Sequence, residues 1–175
     1  MSFEGILSDI KVLDFSTLLP GPLASLFLSE MGAEVIKVER LKLGDEMRRK
    51  TPEIDGTNVS FAILNRGKKS IEIDLKNDLQ NEKLKKLIKD VDIVLEQFRP
   101  GVMKRLGLDY GSIKLINPKI IYVSITGYGQ EGPKSNFAGH DLNYIGDTGL
   151  LSLSMGKEDN TVSYTHLRAH ETREY

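Results

Sequence analysis

Apolar runs and polar breaks alternate along this chain as they would if strands and helices took turns. Residues 11–15, Lys-Val-Leu-Asp-Phe, read as a short strand. The turn over residues 16–22 holds Pro20-Gly21-Pro22, and Pro22 suits the first turn of a helix, where a missing N–H does no harm. Leu23, Leu26, Phe27 and Met31 then recur at helical spacing, with Ser25, Ser29 and Glu30 on other faces and Gly32 as the expected stop. Val35-Ile36-Lys37-Val38 is a second strand, ending at Glu39-Arg40. Together they form a βαβ unit, which implies parallel strands joined by a right-handed crossover.

Residues 41–58 are polar, mixed in charge and interrupted by Pro52 and Gly56, the pattern of a long surface loop. A basic turn, Asn65-Arg66-Gly67-Lys68-Lys69, leads into a strand over 70–74. Residues 82–90 place Leu84, Leu87 and Ile88, and then Val91, on one stripe with lysines elsewhere, which predicts a helix. A strand over 92–96 follows, then Gln97-Phe98-Arg99-Pro100-Gly101, a helical turn or two over 102–106, and a short helix over 110–116 stopped by Asn117-Pro118. Residues 120–126 are apolar and rich in β-branched side chains, so they read as a buried strand. A glycine-rich loop, Gly127-Tyr128-Gly129-Gln130-Glu131-Gly132-Pro133, comes next, and a helix opens near Ala138. This alternation predicts an α/β fold with a Rossmann-like, doubly wound, mostly parallel sheet.

Composition narrows the class without changing the picture. A length of 175 residues fits one domain or a piece of a larger one, and 39% apolar with 28% charged residues leaves material for a real core. A net charge of −1 gives no reason to expect nucleic acid or an anionic membrane as a partner. Cysteine is absent, which excludes disulfides and thiolate metal sites. The N-terminal residues lack a basic and then apolar leader, and no apolar run approaches the roughly 18 residues that span a bilayer. A soluble, cytoplasmic protein is the expectation.

In open α/β sheets ligands bind beyond the carboxyl ends of the strands, which draws attention to the loop after residue 126 and to Gly139-His140-Asp141-Leu142-Asn143-Tyr144. A histidine at a loop–helix junction is more often structural than catalytic, but it is the one side chain here that titrates near neutrality. Cations follow strands or glycine turns at Arg40, Lys68, Lys69, Arg99 and Arg105, and the first helix N-terminus adds a favourable dipole. Together they suggest a phosphate-bearing ligand lying across the strand ends, although each cation alone reads as ordinary surface. Glu39 stands where an acidic ribose ligand would stand, yet the first turn has no G-x-G-x-x-G and its prolines remove N–H groups, which disfavours NAD. Phosphate-loop and zinc-protease motifs are absent, and no metal site is expected.

Several motifs stand in order along the chain: Leu13-Asp14-Phe15 with Pro20-Gly21-Pro22, then Gly32-Ala33-Glu34-Val35-Ile36-Lys37-Val38-Glu39-Arg40. Asn65-Arg66-Gly67-Lys68-Lys69-Ser70 and Asp74-Leu75-Lys76 follow, and Phe98-Arg99-Pro100-Gly101-Val102, Arg105-Leu106-Gly107 and Gly127-Tyr128-Gly129 complete the set. On these motifs the sequence resembles the class III CoA-transferase (CaiB/BaiF) family. Gly-His-Asp-Leu-Asn-Tyr is similar to the α-methylacyl-CoA racemase branch, since transferase branches usually carry tyrosine or phenylalanine where His140 stands.

The resemblance implies roles residue by residue. Arg40 would contact the adenine end or phosphates of CoA, Ile73, Asp74, Leu75 and Lys76 would line the nucleotide, and Arg105 would pair with phosphate. Leu19 and Pro20 would approach the thioester or pantetheine arm. Gly139, Asp141, Leu142, Asn143 and Tyr144 would floor the acyl site around a catalytic His140. The reaction implied first is 1,1-proton transfer at the α-carbon of a 2-methylacyl-CoA, which needs an acid, a base and donors for the enolate oxygen. The alternative is CoA transfer to a carboxylate acceptor through an acyl-aspartate. A third reading is a truncated chain that binds CoA without turning it over. No tightly bound cofactor is implied beyond the CoA moiety of an acyl-CoA substrate. The family's partner is a second copy, in an interlocked homodimer.

The resemblance also implies an aspartate about thirty residues beyond His140 as second acid–base group or nucleophile. His170 stands there instead, so this chain is expected to lack either activity. His170 lies in a stretch without apolar periodicity, Ser163-Tyr164-Thr165-His166-Leu167-Arg168-Ala169-His170-Glu171-Thr172-Arg173-Glu174-Tyr175, which resembles translated sequencing-adapter sequence. Residues 162–175 are therefore read as a non-native tail, and residues 1–161 as the incomplete N-terminal part of the family's large CoA-binding domain. Such a piece is expected to be unstable or aggregation-prone alone, with sheet edges and apolar helix faces uncovered.

Overall fold

Strand β1 (Lys11–Asp14) is the centre of a five-stranded parallel sheet. In the computed structural model, which describes residues 5–153, β1 pairs with β2 (Glu34–Arg40) on one side and β6 (Ile93–Glu96) on the other. Between them in sequence come β3 (Glu53–Ile54), β4 (Thr57–Asn58) and β5 (Lys69–Ile73), and β7 (Ile121–Ser124) follows. The sheet order is β5-β2-β1-β6-β7, so the connection reverses direction between β1 and β6. That reversal makes the doubly wound sheet the sequence predicts and opens a crevice at the strands' carboxyl ends.

Alternation along the strands fills both faces. Val12 and Val35 pack with Ala33 and Leu28, while Leu13, Phe15, Val38 and Val94 pack against Leu84, Ile88, Met103, Leu108 and Ile113. The first face carries α1 (Pro20–Glu30) and the second carries α3 (Asp78–Ile88), α4 (Val102–Arg105) and α5 (Tyr110–Ile116), with α2 (Val59–Asn65) beside α1. Helix α3 starts four residues before the sequence pattern suggests, because Asn77 caps it by accepting the Gln80 N–H. Gly32 ends α1 at φ 104, where a β-carbon would also stand 2.7 Å from the Gly5 Cα.

Three expectations need correction. The buried face of α1 is Gly21, Pro22, Ser25 and Leu26, whereas Leu23, Phe27 and Met31 are 36%, 55% and 45% exposed. Ser25 faces inward because its hydroxyl donates to the buried Asp14 carboxylate. Residues 41–58 are a built structure: a 3₁₀ turn (Glu46–Arg49), the β3–β4 hairpin, and the start of α2, which Asn58 caps. Helix α2 has no strong sequence signal and exists because Phe61 and Leu64 are buried. Strand β7 is buried on one face only, with Ile121 57% exposed and Val123 also exposed.

The described chain divides into two compact units after Thr126. The second holds α6 (Asp141–Asp147) and α7 (Leu150–Leu153). The expectation of a non-native tail over 162–175 falls outside the described residues. Among the described residues, no helix is long and apolar enough to cross a membrane.

Candidate functional site

Beyond the carboxyl ends of β1, β2, β5 and β6 lies a cleft of about 1190 Å³. Each strand delivers a residue as it leaves the sheet: Phe15 from β1, Arg40 from β2, Ile73 from β5 and, past β6, Phe98. Six residues singled out from the sequence meet here, namely Arg40, Ile73, Asp74, Leu75, Lys76 and Arg105. The turn after β5 is fixed from within: the Asp74 carboxylate accepts the Lys76 N–H at 3.0 Å, and the Asp74 N–H donates to Gln80 Oε1 at 2.8 Å. Lys42, Arg49, Thr17, Leu43 and Val102 also line the cleft and escape the sequence reading. The charge of residues 41–50, straight after a strand that ends at a predicted ligand edge, is the signal that could have found them.

The lining mixes apolar and charged groups. Ile73, Leu75, Phe98, Val102 and Leu106 supply surface for a planar ring, Arg40, Lys42, Arg49, Lys76 and Arg105 supply positive charge, and the carboxylates of Glu46 and Asp74 stand among them. Mutual repulsion among such cations is relieved by an anionic ligand, and guanidinium groups can grip phosphate oxygens two at a time. Lys68 and Lys69, expected to join them, do not. Lys69 pairs with Glu34 at 2.7 Å. The Lys68 ammonium is buried, donating to Ser25 Oγ and the Pro22 carbonyl, 3.6 Å from Asp14. Burial pushes Lys68 down to about 8, against the pull of Asp14. Arg99 does not line the cleft either.

The cleft's outer wall, residues 41–50, is held by charges that leave the α1 face of β2. Burial would raise the Glu39 carboxyl, but the Arg48 guanidinium, the Ser70 hydroxyl and the Asp45 N–H outweigh it and hold it at about 2. Arg48 grips both Glu39 oxygens, at 2.7 and 2.6 Å, and lies 3.8 Å over the Phe61 ring. With both oxygens engaged, Glu39 has little left for a ribose diol, which agrees with the expectation against NAD.

Leu19 and Pro20 stand at the start of α1 and do not line the cleft. The helix N-terminus is not the open anion site the sequence suggested: Pro20 and Pro22 have no N–H, and the Gly21 N–H donates to Gln97 Oε1 at 2.9 Å.

Gly139, His140, Asp141, Leu142, Asn143 and Tyr144 belong to the second unit. His140, not Asp141, is the N-cap of α6, with its N–H donating to Asn143 Oδ1 at 2.9 Å. Asp141 is the first helical residue, and the His140 side chain is exposed, as is Leu142. Tyr144 anchors the loop: its hydroxyl donates to the Gly139 carbonyl at 2.8 Å and its ring meets Tyr128 edge-on at 5.2 Å. Asp147 accepts from Tyr128 and pairs with Lys134.

Comparison with known proteins identifies the scaffold. Residues 7–170 match the profile of CoA-transferase family III. The succinate–glutarate CoA-transferase of Agrobacterium fabrum is 42% identical over 155 residues, 85% of this chain and 39% of that protein. Human succinyl-CoA:glutarate CoA-transferase is 41% identical, covering 85% and 34%. Human α-methylacyl-CoA racemase is 36% identical, covering 83% and 35%. The chain thus spans well under half the length of these relatives. A CaiB/BaiF family protein from Brucella suis superposes with a TM-score of 0.82 at 36% identity, over 90% of this chain and 42% of that one. Rv3272 from Mycobacterium tuberculosis superposes with a TM-score of 0.80, also at 36% identity, over 90% and 44%. The two proteins named as transferases stand above the racemase, so the comparison favours CoA transfer over the racemase emphasis drawn from His140. The chain belongs to CoA-transferase family III, the CaiB/BaiF family.

Proposed function

We propose that this chain supplies the CoA-binding part of an enzyme that moves CoA between an acyl-CoA and a carboxylate acceptor. The observation that carries the reading is the cleft at the strand ends, which brings the apolar Ile73, Leu75 and Phe98 together with the cations Arg40, Lys42, Arg49, Lys76 and Arg105. CoA has matching chemistry: a planar adenine, a ribose 3′-phosphate and a pyrophosphate. Arg40 and Lys76 bind the adenosine phosphates, Arg105 the pyrophosphate, and Ile73 and Leu75 the base. Transfer rather than racemisation is supported by the higher identity to proteins named as CoA-transferases.

Transfer requires the donor acyl carbon to pass from the CoA sulfur to a carboxylate oxygen, releasing the CoA thiolate. That thiolate must then attack the acceptor's activated carboxyl carbon as the donor leaves as a free carboxylate, with each tetrahedral oxyanion met by donors. This chain's share of that work is to fix the CoA moiety so that its thioester is presented in one orientation. Racemisation is the second reading, favoured by His140, an exposed group able to move a proton beside a helix start. The test uses the protein that carries this chain. Acceptor-dependent exchange of CoA between succinyl-CoA and a dicarboxylic acid, with a trapped acyl-enzyme, supports transfer. Deuterium entering the α-carbon of a 2-methylacyl-CoA without any acceptor supports racemisation. Tight CoA binding with neither reaction leaves a non-catalytic CoA-binding chain.

A further inference from the structure

The first βα turn and the outer wall of the cleft are joined through one buried ammonium. Lys37 lies on the α1 face of β2 and is 1% exposed. Its Nζ donates to the Ser16 carbonyl at 2.7 Å and stands 2.8 Å from Asp45 Oδ2. Asp45 Oδ1 accepts the Met47 N–H at 2.9 Å and lies 3.4 Å from the Leu18 N–H. Residues 16 and 18 of the turn and 45 and 47 of the wall therefore share one ion pair. Leu18 is held at φ 62, a left-handed conformation that a leucine keeps only where its surroundings impose it. Between Ser16 and Leu18, Thr17 lines the cleft.

Stability alone is a poor reason for this pair, because apolar residues in place of both partners of a buried ion pair are often as good or better. Position 37 also sits two residues beyond Val35 on the same strand face, where an apolar side chain continues the core. What an apolar pair could not do is take hold of the Ser16 carbonyl from one side and the 3₁₀ turn from the other.

We propose that the Lys37–Asp45 pair is a positioning device that presets the first βα turn against the cleft wall, so that a ligand anchored at the nucleotide end meets a turn already shaped for the arm extending from it. This rests on the CoA reading: adenosine 3′,5′-bisphosphate fills the cleft and the pantetheine arm passes the turn. Lys37 and Asp45 are themselves part of the cleft lining, and they act by holding residues 16–18 against the wall. When a turn is competent only part of the time, apparent affinity falls by that fraction. Losing the pair therefore weakens ligands that reach the turn and spares those that do not.

The test is calorimetric titration of CoA and of 3′,5′-ADP, which lacks the arm, into the protein that carries this chain and into its Lys37→Met/Asp45→Asn variant. The double variant removes both charges together and keeps the Asp45 cap geometry. The expected result is a loss of about tenfold for CoA and less than about twofold for 3′,5′-ADP. Equal losses for both ligands, or none for either, would overturn the proposal. Failure of both ligands to bind the wild type overturns the CoA reading, and the positioning role with it. A second measurement needs no variant: amide hydrogen exchange at residues 16–18 of the wild-type protein. A preset turn is protected before CoA is added and gains less than about threefold on binding. A turn protected only after CoA binds refutes presetting.

Discussion

Replacing Arg48 by methionine should destabilise the chain by about 2 kcal/mol at neutral pH, through the carboxylate it leaves behind. Glu39 is 4% exposed and its carboxyl is brought from 4.5 to about 2 on folding. At about 1.4 kcal/mol per tenfold, that difference stabilises the fold by about 3 kcal/mol. Arg48 is the strongest of the groups opposing the burial cost, ahead of Ser70 and the Asp45 N–H, but its own side chain is 41% exposed and partly screened. Assigning it about two-thirds of the total is reasonable on that ground. Methionine keeps a contact with Phe61 in place of the stacked guanidinium, so the lost cation–π interaction is partly offset.

The sign of the pH dependence follows. A carboxyl depressed in the folded state stabilises fully above about pH 4.5, and that stabilisation is lost as pH falls toward 2. Urea unfolding followed by circular dichroism at constant ionic strength, from pH 2 to 7, measures it. Other carboxylates titrate in the same window, so the informative quantity is the difference from Glu39→Gln. That difference should fall by about 3 kcal/mol in the wild type and by about 1 kcal/mol in the Arg48→Met background. In Glu39→Gln, Arg48→Met should cost less than about 0.5 kcal/mol. If the full 2 kcal/mol penalty persists without the Glu39 charge, the guanidinium stabilises the wall by packing and the electrostatic reasoning is wrong.

Lys68 tests the opposite sign: it is lowered from 10.5 to about 8, so the unfolded chain binds the proton more tightly between those values, and stability should rise from pH 8 to 10.5 by about 3 kcal/mol. Urea midpoints in Lys68→Met should lose that rise. Gly139→Ala places a β-carbon 2.7 Å from the Tyr144 ring and should expel it at about 2 kcal/mol, read as loss of near-ultraviolet tyrosine ellipticity. Arg105→Ala should weaken CoA about tenfold and flatten the salt dependence of binding, measured by titration at two ionic strengths.

The sheet was legible because both faces of its central strands are covered, which leaves unbroken apolar runs in the sequence. Helix α3 was legible from its periodic apolar stripe, and α5 from the Asn117-Pro118 stop that ends it. What failed were places where polar partners decide the structure. The stripe Leu23–Phe27–Met31 predicts an inward face, yet Ser25 turns inward to meet Asp14, and the partnership is invisible without the fold. Residues 41–58 look like solvent-exposed loop because Asp45, Arg48 and Asn58 are polar, and it is their hydrogen bonds, not apolar burial, that build the segment. Six residues of the cleft lining are ones the sequence singled out, and seven more lie on this wall, where no periodicity could announce them.

The racemase emphasis shows the same limit at a single residue. His140 drew attention because histidine can serve as acid or base, but the fold uses its backbone: the N–H donates to Asn143, and the carbonyl accepts the Asn143 and Tyr144 N–H groups. Other side chains at position 140 would leave those backbone bonds in place. The His140 side chain is also part of a capping box with Asn143, so part of its role is the helix start itself. One such residue weighs little against 42% identity over 155 residues. A site residue discriminates between reactions only when the chemistry needs it beyond what the fold does, and the deuterium-exchange assay decides that for His140.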